Sequence, residues 1–307
     1  MLTPRVLVPL SFFALLIVLG VPAHAIQEPA PLSTGVCGPI TVDSTWAYAA
    51  SPFIVTCDVT VNPAVTLTIE PGVEVAFDGN HALIVQGTLS AEGTVSQPIR
   101  FTSNQGSPAP GDWAMLDIRS DSTSSVLRHT IVEYGGEGTR AGNYCVSGAL
   151  CVNTSSFELD ESTIQHNATR GLVLVQADAT ITGNTFDSHT DEAIRLHTCN
   201  YAIGACRPTI TGNTFTHNAS AIALHGPQDP ILSDNQASDN DFNGLVLHSC
   251  MFKGENTWYA DLTYAVPGWC DLGGYGPISL TLEPGTVVKF DGGGLTLNWT
   301  SVLTGTG

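Results

Sequence analysis

The residues of this chain best equipped for chemistry lie close together. His189, Asp191, Glu192, Arg195 and His197 fall within a single short stretch. Two carboxylates beside a guanidinium and imidazoles are the raw material of general acid–base chemistry, in which one carboxyl gives a proton while another takes one. Asp191, Glu192 and Arg195 are therefore the candidate catalytic residues. The plainer alternative is a solvent-facing turn laced with ion pairs. A second acidic doublet, Asp160-Glu161, occupies a different place in its own repeat, so the two doublets do not stack into one site.

A second candidate is a column of histidines. His197, His225 and His248 each follow an apolar leucine (Leu196, Leu224 and Leu247) at the same place in successive repeats. If those repeats stack as strands about 4.8 Å apart, the three rings form an outward row. Two neighbouring imidazoles can then converge on one Zn²⁺ or Cu²⁺ at about 2.0–2.1 Å each. No carboxylate or thiol is guaranteed to complete such a shell, so no cofactor is required and divalent-metal binding, where it occurs, is weak. The preferred reading is a stacked imidazole row that covers the flank.

The eight cysteines have a structural reading. Cys37 and Cys57 recur as Cys250 and Cys270 with the same spacing between the two members of each pair. Equivalent cysteines in equivalent modules bond alike, which predicts Cys37–Cys57 and Cys250–Cys270. Cys145/Cys151 and Cys199/Cys206 are tight pairs at the necks of two inserted loops. A short loop closed in this way gains roughly 2–3 kcal/mol in the chain-entropy model. A redox or metal role is disfavoured because no Cys-x-x-Cys occurs.

These residues must be positioned by a repeat. Residues 159–174, 181–196, 210–224 and 232–247 superpose as four copies of one unit. Ser162, Asn184, Asn213 and Asn235 share one turn position, and Asn167, His189, Asn218 and Asn240 share another. Each copy closes on a small residue and an alternating apolar pair, as in Ala193-Ile194-x-Leu196 and Gly244-Leu245-x-Leu247. The step from Ile164 to Phe186 equals the step from Phe215 to Ala237; the middle step, from Phe186 to Phe215, is longer because the Cys199–Cys206 segment is inserted. Alternation at every second position means strands, and a repeat of this length means stacking. One such turn cannot bury its apolar face alone, but stacked turns bury a continuous column. Asparagines in register can hydrogen-bond the residue above and below.

The paired motif Ile-Thr-Gly-Asn-Thr-Phe at 181–186 and 210–215 resembles the right-handed parallel β-helix proteins of the pectin-lyase-like superfamily. The run from Leu67 to Thr94 is similar to the opening turns of bacterial exported β-helix proteins. The resemblance implies an all-β right-handed parallel β-helix, a solenoid, with inserted disulfide-pinned loops. It does not imply one activity, because many chemistries share this coil. Polygalacturonase patterns such as Asn-Thr-Asp, Asp-Asp, Gly-His-Gly and Arg-Ile-Lys are not found in the sequence.

Composition bounds partners and compartment. The chain of 307 residues carries 28 acidic against 10 basic residues, a formal charge of −18, which disfavours nucleic acid and anionic membranes. Calcium is a lesser alternative, since Asp78-Gly79-Asn80 and Asp291-Gly292 fit β-turns better than ion loops. Residues 1–25 read as a secretory signal, with Arg5, an apolar run to Val21 and Ala23-His24-Ala25 as the cleavage site. No other segment is apolar enough to span a bilayer, so none is expected after signal removal. Residues 26–36 read as a flexible leader and 37–249 as the β-helix module. The motif Phe77-Asp78-Gly79 returns as Phe290-Asp291-Gly292, at the same offset that carries Cys57 to Cys270. Residues 250–307 therefore read as the start of a second, truncated module, and the chain as a fragment of a longer array. Asn153, Asn167, Asn218 and Asn298 begin glycosylation triplets, but turn chemistry accounts for them. Trp113 and Trp258 can offer sugar-stacking faces, with packing at the core edge as the preferred reading. The functional expectation is a secreted or cell-surface protein, non-catalytic, presenting its flank to extracellular polysaccharide or protein. A polysaccharide lyase or glycoside hydrolase is the alternative, and a structural stalk the third.

Overall fold

The computed structural model describes residues 33–138, 145, 147–199, 206–249, 252, 254–272, 277–297 and 300–305. The chain divides into Met1–Ala30 and Pro31–Gly307. The first segment lies outside the described residues, and so does the expected signal. The second is built of short parallel strands, with a single 3-10 turn at Tyr48–Ala50 as the only helical element among the described residues.

Three parallel ladders run along the coil. In the first, Leu127, Leu159, Ile181, Ile210 and Leu232 lie in register, each opposite the next. The second aligns Val132, Ile164, Phe186, Phe215 and Ala237. The third aligns Leu150, Leu172, Ile194, Ile222 and Leu245. Alternation turns these side chains inward, and nearly all are fully buried. They form one continuous core running from Trp46 to Leu280. Phe186 stacks on Phe215 at 5.3 Å between ring centroids, so the second ladder carries an aromatic step inside the coil.

Two buried stacks of polar side chains close the corners. At the corner between the first and second ladders, the Oδ1 atoms of Asn184, Asn213 and Asn235 accept from the backbone N–H one turn earlier, at 2.8, 2.9 and 3.1 Å. Their Nδ2 groups donate to the carbonyls of Leu159, Ile181 and Ile210. Asp261 ends this stack by accepting from the Asn235 backbone N–H. At the corner between the second and third ladders, Asn167, His189, Asn218 and Asn240 form the other stack. Tight corners otherwise leave backbone groups unpaired, and each asparagine satisfies a donor and an acceptor at once.

The disulfides Cys37–Cys57, Cys145–Cys151 and Cys199–Cys206 are present. Cys270 is also disulfide-bonded, while Cys250, its expected partner, lies outside the described residues. The first strand, Thr34–Ile40, begins earlier than the sequence suggested. Thr34 pairs with Phe53 and Val36 with Val55, so the end of the expected leader is corrected: its backbone finds partners in the next turn and Val36 packs on the core. At the other end the pairing of Trp46 with Ile69 recurs as Trp258 with Leu282, and that of Val55 with Phe77 as Val266 with Phe290. The third ladder continues directly into this region, with Gly244 opposite Thr263.

Candidate functional site

The third ladder brings the chemically equipped residues together on its outer side. The strands Leu172–Leu174, Ile194–Leu196, Ser220–Leu224 and Phe242–Leu247 lie side by side. Arg170 and Glu192 each stand two residues before the first inward residue of adjacent turns, so they meet across the rung. Arg195 points outward from mid-strand, opposite Val173 and Ala223. His197, His225 and His248 follow the strand ends.

Glu192 is the hub. Its side chain is only 3% exposed. The Oε1 atom accepts from Arg170 Nε at 2.7 Å and from Arg195 Nε. Arg170 also donates to Asp191 and, at 3.2 Å, to the carbonyl of Ser147 in the first disulfide-pinned loop. His225 Nε2 lies 3.7 Å from Glu192 Oε1. Two guanidinium groups thus balance two carboxylates, Glu192 shielded from water and Asp191 41% exposed. The expectation of a solvent-facing turn is corrected for Glu192: its column neighbour is an arginine, and burial follows from pairing.

Proton affinities follow from this geometry. Burial alone raises the Glu192 carboxyl, but hydrogen bonds from Asp191 and Arg170 outweigh it and hold Glu192 below the usual carboxylate range. Asp191 moves the other way, pushed up by burial and by the adjacent Glu192 against the pull of Arg170. Burial and the charge of Arg195 lower His225 to about 4, with His248 adding to the effect. His197 is also lowered, by burial, Arg195 and Arg170. The two imidazoles are therefore neutral at neutral pH, each offering one donor and one acceptor. His197 Nδ1 and His225 Nε2 are buried without a hydrogen-bond partner.

Two rings of the histidine column take the form of the stacked imidazole row. His225 and His248 stack face to face, with centroids 4.5 Å apart and planes 18° from parallel. Parallel rings aim their nitrogens alongside one another, whereas a shared ion needs them to converge. Among the described residues, no three His, Cys, Asp or Glu side chains are grouped to hold a metal ion.

Asp191, Glu192, Arg195, His197, His225 and His248 are thus placed along one flank, while His189 is not part of it. His189 is fully buried in the asparagine stack, with Nδ1 2.7 Å from Asn218 Oδ1 and Nε2 3.2 Å from Asn167 Nδ2. A side chain at Gly171 would come within 2.9 Å of that ring, so glycine there makes room for it. Arg170 is the residue that sequence reasoning missed. Its signal was available: it directly precedes Gly171 as Glu192 precedes Ala193, placing opposite charges one above the other. Trp113 and Trp258 are buried and offer no face to a ligand.

Residues 38–139 match the family described as pectate-lyase like beta helix domain, and residues 147–262 match the right handed beta helix region. Searches of the curated proteins and of the solved structures found no match. The two family matches support the pectin-lyase-like superfamily, and with the three parallel ladders they make the described chain a right-handed parallel β-helix.

Proposed function

We propose that this is a secreted or cell-surface β-helix that binds a glycan or protein along its third-ladder flank without cleaving it. The observation that carries this reading is the state of Glu192. A carboxylate gripped by Arg170 and Arg195 holds no proton to donate at neutral pH and is a poor base. Around it stand neutral imidazoles and internally balanced ion pairs, a surface suited to hydroxyl and amide groups. The disulfides fit an oxidising compartment. The charge of −18 disfavours nucleic acid as a partner.

Two observations favour the enzyme reading as the second. Residues 38–139 match a pectate-lyase-like domain, and the adjacent carboxyls of Asp191 and Glu192 are pushed apart in proton affinity, as in acid–base pairs. The test incubates the protein with uronate and neutral polysaccharides and follows unsaturated and reducing ends. The expected result is no turnover together with measurable binding that weakens in His225→Ala. Turnover abolished by Glu192→Gln overturns the binding reading in favour of a lyase or hydrolase. Absence of both turnover and binding overturns it in favour of a stalk.

A further inference from the structure

A groove of about 470 Å³ runs along the corner between the first and second ladders, across the coil from the third-ladder flank. One wall is the small loop after Gly93, closed on itself by the antiparallel bridge between Thr94 and Gln97. It presents Thr94, Val95 and Pro98, and Val95 is 85% exposed at its tip. The floor is Ile131, Thr163 and Thr185 of the second ladder.

The corner residues of successive turns are His129, Glu161, Gly183 and Gly212. They are stacked by hydrogen bonds from each backbone N–H to the following turn. The corner demands a left-handed backbone, with φ of 45° at His129, 44° at Glu161, 66° at Gly183 and 65° at Gly212. The column therefore changes from two long polar side chains to bare glycine within the groove. His129 Nε2 and Glu161 Oε2 are 3.1 Å apart, which turns the imidazole and carboxylate toward one another beside the open floor.

We propose that this groove is a subsite for one neutral sugar ring of a glycan chain. Val95 and Pro98 supply an apolar wall for the C–H face of a pyranose. Glu161 accepts from vicinal hydroxyls, and His129, Thr163 and Thr185 offer further donors and acceptors around its rim. The Glu161 carboxylate and the overall charge of −18 repel a uronate, which separates this ligand class from acidic polysaccharides. The groove is shallow and open, so binding is weak for one ring and grows through the chain that carries it.

The experiment is calorimetric titration of the full chain with cellohexaose, maltohexaose, xylohexaose and hexagalacturonate. The proteins are wild type, Glu161→Ala, Thr185→Arg, which fills the floor, and His225→Ala, which belongs to the other flank. Binding of at least one neutral hexasaccharide is expected, at least about tenfold weaker in Glu161→Ala and in Thr185→Arg, whereas His225→Ala lowers only the share held at the third-ladder flank. Circular dichroism of each variant confirms that the coil is retained. The proposal is overturned if no neutral hexasaccharide binds wild type, if both groove variants bind as wild type does, or if the groove prefers hexagalacturonate. A loss seen only in His225→Ala overturns it while leaving the third-ladder reading in place.

Discussion

His189 occupies a place that the turns before and after it fill with asparagine. Like them it bridges the stack, but only as the neutral ring, with Nδ1 donating to Asn218 Oδ1 and Nε2 accepting from Asn167 Nδ2. Burial lowers its pKa to about 4, against the opposing pull of the Asn218 hydrogen bond. The unfolded chain, with an ordinary imidazole near 6.5, binds the proton first as pH falls. Stability from His189 is therefore complete above about pH 6.5 and is lost progressively down to about pH 4, where the loss amounts to roughly 3 kcal/mol. His225 adds to the same acid sensitivity by the same sign. Substituting His189→Asn restores the residue type of its column and should flatten the stability–pH curve over that window. Urea unfolding at several pH values measures this; parallel curves for wild type and variant would show that the ring is not held neutral.

At the scale of the elements, the asparagine stack at the first corner is the most legible part of the fold. Ser162, Asn184, Asn213 and Asn235 recur at one place because each must reach one turn away in the same register, and that demand leaves a periodic mark. Asn213 is fully buried; it accepts from the Asn184 backbone and donates to the Ile181 carbonyl and to Asn235 Oδ1. Asn213→Ala removes all of these at once and should cost about 2–4 kcal/mol in denaturant unfolding. A cost below about 0.5 kcal/mol would mean that water replaces the side chain. The candidate site was legible in part for the same reason. Asp191, Glu192 and Arg195 are close in sequence, and His197, His225 and His248 are periodic, so both sets were visible. Arg170 was not, because its meaning depends on the register between turns. The burial of His189 was hidden too, since a corner position reads as exposed until its stack is seen. The corner groove owes its wall to a loop one turn away from His129, and no local pattern announces that. The start at Thr34 was missed because proline-rich chain before it masks a strand that pairs with the second turn.

For the whole molecule, the sequence motif and its energetic weight come apart. Phe77 and Phe290 open the same triplet in the two modules, and both lie on strands paired with the preceding turn. Phe77 is fully buried and stacks on Trp113 with centroids 4.2 Å apart and planes 5° from parallel. Trp113 is itself fixed by its Nε1 donating to the Glu133 carbonyl at 2.8 Å. Phe290 is 48% exposed, and Leu297 and Val302 in its neighbourhood of the sequence are exposed to a similar degree. In a stacked coil the stability of a turn is the sum of its own contacts and its interfaces with the turns on either side. Among the described residues, the Phe77 strand pairs with a turn on each side and the Phe290 strand with one. Phe77→Ala should therefore cost about 3–5 kcal/mol, because it removes a ring and leaves a cavity under Trp113 that neighbouring turns cannot close. Phe290→Ala should cost about 1 kcal/mol or less, since much of its surface is already in water. Denaturant unfolding of the two variants beside wild type measures the difference. Equal costs would show that the motif itself, and not its place between turns, sets the stability of this coil.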